Sequence, residues 1–75
     1  MKMIIRRSKT TGNVKSINEY EPATFYELDR IYNNTQLSTC TVEVVDIPES
    51  AFECHEKYGR IVKKEYIHDV LEHNA

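Results

Sequence analysis

Residues 37–47 read Leu-Ser-Thr-Cys-Thr-Val-Glu-Val-Val-Asp-Ile and stop before a proline. Many of these side chains are β-branched, and side chains of that kind favour extended backbone. Cys40, Val42 and Val44 fall on alternate positions, so that they share one face of a strand, which Asp46 continues. The stretch therefore predicts a strand of the core sheet.

Two further extended segments precede this strand. They cover residues 2–8 and 14–20 and flank the loop 9–13, which contains Gly12. Short β-rich runs around a glycine-containing loop are typical of a β-hairpin, and glycine supplies the positive φ that such loops need. We therefore expect an N-terminal hairpin.

A helix is expected between the hairpin and the strand. Pro22 fits the first turn of a helix, where no intrahelical N–H is lost. Phe25, Leu28 and Tyr32 then recur at three- and four-residue spacing, with charged residues between them. Residues 33–34 are both Asn, which is a suitable left-handed stop.

Two shorter helices are expected after the strand. Pro48 would open the first, which would pack through residues such as Phe52, and Gly59 would close it. The second would run from about residue 63 to residue 73, because apolar residues recur there at helical spacing. Residues 60–62 fit either a linker or a last short strand.

The resulting order is β-β-α-β-α-α within one small α+β domain that spans residues 1–75. A chain of 75 residues has no room for two cores. A three-stranded, mostly antiparallel sheet with helices packed on one face is the simplest arrangement that buries these apolar stripes.

The charges are unevenly distributed, although the net charge is only −2. Residues 1–15 carry five basic side chains and no acid, whereas residues 16–75 carry all twelve acids. The basic hairpin could contact phosphates, or its cations could simply be solvated and limit aggregation at a sheet edge. The candidate phosphate contacts are Arg6, Arg7, Lys9 and Lys15.

An acidic cluster near the strand supports a competing hypothesis. Such a cluster could steer the protein toward a basic groove on a larger protein, and an exposed tyrosine could anchor the contact. We predict that the partner-binding residues are Glu43, Asp46, Glu49, Glu53, Glu56 and the exposed Tyr26.

The Cys and His residues do not form a metal or catalytic motif. Cys40 and Cys54 are fourteen residues apart, and a helix would direct the adjacent Cys54 and His55 away from each other. His68 and His73 would lie on different helix faces. We therefore expect no catalytic residue, no metal and no cofactor.

The longest apolar runs are too short for a secretory signal or a membrane span. We expect a cytoplasmic protein without a membrane partner.

The predicted order from Thr39 onward is a strand, Ile-Pro-Glu at 47–49, a helix, Gly-Arg at 59–60 and a helix containing Glu-Tyr-Ile at 65–67. This order resembles the ribbon-helix-helix family of dimeric repressors. The resemblance implies a strand that pairs across a two-fold axis in the DNA major groove, with helices that form the dimer core. Thr39, Thr41 and Glu43, or the opposite set, would then face DNA.

The sequence favours a non-catalytic protein–protein interaction module. It has the size and character of phage or mobile-element accessory proteins that inhibit or modulate a larger protein. The alternative is a dimeric ribbon-helix-helix-like transcriptional regulator. Nucleic acid is the less favoured partner, and a homodimer is compatible with either function.

Overall fold

The computed structural model describes residues 1–72, and its centre is a three-stranded antiparallel sheet. The strands are β1 (Lys2–Ser8), β2 (Val14–Glu19) and β3 (Cys40–Asp46), in the order β2-β1-β3. Gly12 lies in the β1–β2 turn with φ of 76°, as the loop composition predicted. The α+β class and the three-stranded antiparallel sheet are confirmed.

Helix α1 (Pro22–Leu28) begins at the predicted proline. It continues through a wider, π-type turn over Asp29–Asn33. The backbone then crosses to β3. The helix layer thus occupies the segment that the apolar spacing predicted, although its second half is wider than a regular α-helix.

A β-hairpin replaces the helix that was expected between Pro48 and Gly59. A short 3-10 turn (Glu49–Ala51) leads into β4 (Phe52–His55), which pairs antiparallel with β5 (Gly59–Val62). The helix prediction was wrong because Phe52 is covered by pairing opposite Val62, a long-range contact that local spacing does not reveal. The open question about residues 60–62 is settled in favour of a strand.

The strand–helix–helix order on which the ribbon-helix-helix resemblance rested is therefore not present. The chain ends its described part with helix α2 (Lys64–Tyr66) and a further wide turn over Ile67–Leu71. The predicted last residue of this helix, His73, lies outside the described residues.

The central sheet is covered on both faces, which corrects the prediction of helices on one face. Residues that pair directly across antiparallel strands point to the same side. Ile5 is fully buried on the side where the C-terminal elements pack, in a cluster with Ile47, Val62 and Leu71. Ile4, also fully buried, points to the opposite side, where the α1 layer lies.

No helix within residues 1–72 is long and apolar enough to cross a membrane.

Candidate functional site

Arg6 of the basic hairpin points toward the α1 layer. Its Nε donates to Ser16 Oγ at 3.2 Å, and its guanidinium lies 5.4 Å from the ring centroid of Tyr32. A second nitrogen lies 3.7 Å from Cys40 Sγ. These contacts hold Arg6, which is half-buried, between the sheet and the helix layer.

Arg7 points to the opposite face and connects three parts of the chain. Its guanidinium donates to the backbone carbonyls of Gly12 and Leu71 and forms an ion pair with Glu43 at 3.0 Å. The side chain is 21% exposed. Arg7 is therefore committed to internal contacts, and a phosphate would have to compete with them.

The other two predicted phosphate contacts, Lys9 and Lys15, do not form such internal contacts within residues 1–72. Lys9 and Lys15 are exposed, and neither forms an ion pair with another of residues 1–72. Lys15 lies at a β-bulge, where the pairing register between β1 and β2 shifts by one residue. Of the four predicted phosphate contacts, Lys9 and Lys15 are thus the two without a hydrogen bond or ion pair from their side chains within residues 1–72, which limits the electrostatic footprint of the set.

Three of the predicted partner-binding acids are neutralised within the fold. Glu43 pairs with Arg7, and Asp46 accepts from the Met1 amino group at 2.9 Å. Glu49 forms an ion pair with Arg60. Sequence alone could not reveal these pairs because their partners are remote along the chain.

Glu53 and Glu56 remain unpaired within the part of the chain that the structure describes. Glu53 lies on β4 and Glu56 in the turn that follows, and both are exposed. Tyr58, in the same turn, is 67% exposed. We refer to Glu53, Glu56 and Tyr58 as the acidic tip.

His55 organises the backbone of the acidic tip. Its Nδ1 accepts from the N–H groups of Lys57 and Tyr58 at 3.1 and 3.3 Å, and its ring centroid lies 4.9 Å from that of Tyr58. The Lys57 ammonium is 5.5 Å from the Tyr58 ring. Sequence reasoning missed Tyr58 as a surface residue because it assigned this residue to a packed helix.

Tyr26 is as exposed as Tyr58, at 67%, but it belongs to α1. That helix covers one face of the central sheet, whereas the β4–β5 hairpin belongs to the layer on the other face. The structure therefore does not unite Tyr26 with the acidic tip in one layer.

A groove runs between the edge strand β2 and the β4–β5 hairpin. Met3, Ile17 and Phe52 supply its apolar lining, and Asn18 and Glu19 add polar groups to its larger part, which has a volume of about 430 Å³. The Arg60 guanidinium lies 4.9 Å from the Phe52 ring at its margin. The groove could not be predicted from sequence without the β4–β5 hairpin, which forms one of its walls.

Within residues 1–72, no three or more His, Cys, Asp or Glu side chains are grouped in a way that could hold a metal ion. Cys40 is buried and Cys54 is exposed, and both are free thiols.

No protein-family model, curated protein or solved structure matches the chain.

Proposed function

We propose that this chain is a non-catalytic, cytoplasmic protein–protein interaction module that inhibits or modulates a larger protein with a basic groove. The observation that carries the proposal is the acidic tip, which combines an exposed tyrosine with two exposed carboxylates that form no ion pair within residues 1–72. The other three acids of the predicted cluster are tied to internal cations and supply less of the external field.

Exposed carboxylates that form no ion pair within residues 1–72 suit electrostatic steering. Their field is not cancelled by an adjacent ion pair, so a basic partner would be attracted over roughly a Debye length, about 8 Å at physiological ionic strength. Lys57, in the same turn, offsets part of this negative charge. Glu53 and Glu56 would therefore mainly raise the association rate.

Tyr58 would supply the short-range contact. Tyrosine combines a large apolar surface with a polar hydroxyl and is enriched among residues that dominate binding energy. The turn that carries it is already ordered by the two hydrogen bonds to His55, which lowers the entropy lost on binding. Tyr26 remains a predicted contact on a separate surface.

The experiment first captures partners from native cell lysate, with and without nuclease, and then measures binding kinetics with the identified protein. The test variant is Glu53→Lys/Glu56→Lys. The matched control is Glu21→Lys/Glu65→Lys, which changes the net charge equally at exposed positions outside the acidic tip that form no ion pair within residues 1–72. We expect the test variant to associate about tenfold more slowly at low salt, and the difference to shrink as salt is added.

A second comparison tests the anchor. Tyr58→Ala should accelerate dissociation about tenfold, the effect of removing one interface anchor, whereas Tyr26→Ala should leave it unchanged if the acidic tip alone makes the contact. Equal association rates for the two charge variants would refute the steering role. Capture that disappears with nuclease would favour nucleic acid as the partner instead.

A further inference from the structure

The two outer edges of the central sheet differ in how their backbone groups are satisfied. On β3, the N–H of Cys40 donates to Ser38 Oγ, and its carbonyl accepts from the same hydroxyl. The N–H and carbonyl of Val42 are both bound by the Asn33 side chain. Much of the β3 edge is therefore occupied by side chains of its own chain.

The β2 edge is open. The Tyr20 N–H donates to the Lys2 carbonyl at 3.1 Å, which fixes the alternation of the β1–β2 ladder. Ser16 and Asn18 consequently pair with β1, so that the backbone groups of Ile17 and Glu19 point outward. Within residues 1–72 no backbone or side-chain group outside the β1–β2 ladder hydrogen-bonds to them. An unpaired strand edge is a template for another strand.

We propose that two copies of this chain associate by antiparallel pairing of their β2 strands about a two-fold axis through Ile17. In this register Ile17 lies opposite Ile17 of the second copy, and Lys15 lies opposite the second copy's Glu19. Ser16 lies opposite the second copy's Asn18. Each pair joins side chains of matching chemistry, as stable cross-strand pairs do.

Neighbouring registers lack this match. A two-fold axis at Lys15 or at Glu19 places two like charges directly opposite each other, which is destabilising. An axis at Ser16 or at Asn18 places Ile17 opposite a charged residue.

The limits of the paired segment are visible at the N-terminal end of β2. The bulge at Lys15 ends the regular ladder, and the Val14 N–H is already bound by Glu72 Oε2 at 2.7 Å. A bulge and a lysine at a strand end restrict how far another strand can pair. They therefore favour a short interface of fixed register over open-ended aggregation.

Pairing would also extend the groove beside β2. The Ile17 side chain lines this groove, which lies between β2 and the β4–β5 hairpin. A two-fold axis at Ile17 brings the grooves of the two copies together and covers part of their apolar lining. The acidic tip does not take part, so this inference goes beyond the proposed function and does not depend on it.

The experiment measures the monomer–dimer equilibrium of the full chain alone by sedimentation velocity over a range of concentrations. Lys15→Glu and Glu19→Lys should each weaken the dimer about tenfold, because each places like charges opposite each other twice per dimer. The double variant Lys15→Glu/Glu19→Lys should restore wild-type affinity. Lys9→Glu, with the same charge change off the paired segment, is the control.

Amide hydrogen exchange supplies a second readout. The Ile17 and Glu19 amides should become protected as protein concentration rises, whereas exchange at Val42, already bonded to Asn33, should not depend on concentration. A monomer at every concentration overturns the proposal. So does a dimer whose affinity is unchanged by the single substitutions or is not restored by the double variant.

Discussion

Asn33 and Val42 are joined by two hydrogen bonds that imitate the pairing of a neighbouring strand. Asn33 Nδ2 donates to the Val42 carbonyl at 2.8 Å, and the Val42 N–H donates to Asn33 Oδ1 at 2.8 Å. The same Nδ2 also donates to Asp29 Oδ1 at 2.7 Å. One side chain thus attaches the α1 layer to the sheet and closes the β3 edge at this point.

Asn33→Ala should destabilise the protein by about 1–2 kcal/mol, because it removes both bonds to Val42 and leaves these backbone groups to water. Asn33→Asp should also be destabilising, because a carboxylate can accept from the Val42 N–H but cannot donate to the Val42 carbonyl. Urea unfolding monitored by circular dichroism gives both values. The neighbouring exposed Asn34→Ala is the control and should be near neutral. Equal stability of the two alanine variants would mean that the cap contributes nothing.

Ile4→Ala and Ile5→Ala should be similarly destabilising, by about 2–5 kcal/mol each, because both side chains are fully buried on opposite faces of β1. The partly exposed Val44 pairs with Ile4 on the α1 side and provides the comparison. Val44→Ala should cost less than either isoleucine change. Denaturant unfolding measures all three. If Ile4→Ala lowered the free energy of unfolding only as much as Val44→Ala, the α1 layer would not bury this face of the sheet.

The elements that local pattern could predict are those whose signals point to one structure. Alternation identified β3, Gly12 marked the β1–β2 turn, and Pro22 with the apolar spacing after it marked α1. Their pairing as a three-stranded sheet followed because few other arrangements bury the apolar faces. The covering of both sheet faces could not be predicted from the sequence. It depends on which face each segment that connects the strands packs against.

The segment from Phe52 to Val62 was misassigned because its signals fit two structures. A glycine at residue 59 suits the end of a helix as well as a strand after a turn. Phe52 is covered only when Val62 pairs with it across ten residues. The ion pairs of the candidate site could not be predicted for the same reason, since Glu43 and Glu49 pair with residues that are distant in sequence.

Gly59→Ala should destabilise the protein by about 1–2 kcal/mol, because φ at this residue is 77° and a left-handed backbone is costly for a residue with a Cβ. Apart from its two chain neighbours, an added Cβ would meet no heavy atom within 4 Å, so the cost comes from the local backbone conformation and not from crowding by other residues. Gly59→Asn should cost less, because asparagine tolerates this conformation better than alanine. Thermal unfolding of the three proteins gives the order. Equal stability of Gly59→Ala and wild type would contradict the turn geometry that holds the acidic tip.

Arg7→Met should destabilise the protein by about 1.5–3 kcal/mol, the range for a hydrogen-bonded charged group, because the Glu43 carboxylate and two backbone carbonyls lose their donor. Arg30→Met provides the matched loss of a guanidinium, since among residues 1–72 Arg30 pairs only with Glu27, and its side chain is 60% exposed. An exposed pair of this kind contributes at most about 0.5 kcal/mol. Urea unfolding at low and high salt compares the two variants, and the Arg7 effect should persist at high salt. Equal, small effects would mean that the Arg7 contacts are weak in solution. The guanidinium would then be free to bind a phosphate. This result would support the hypothesis that the basic hairpin binds nucleic acid, because Arg7 would be available as a third cation beside Lys9 and Lys15.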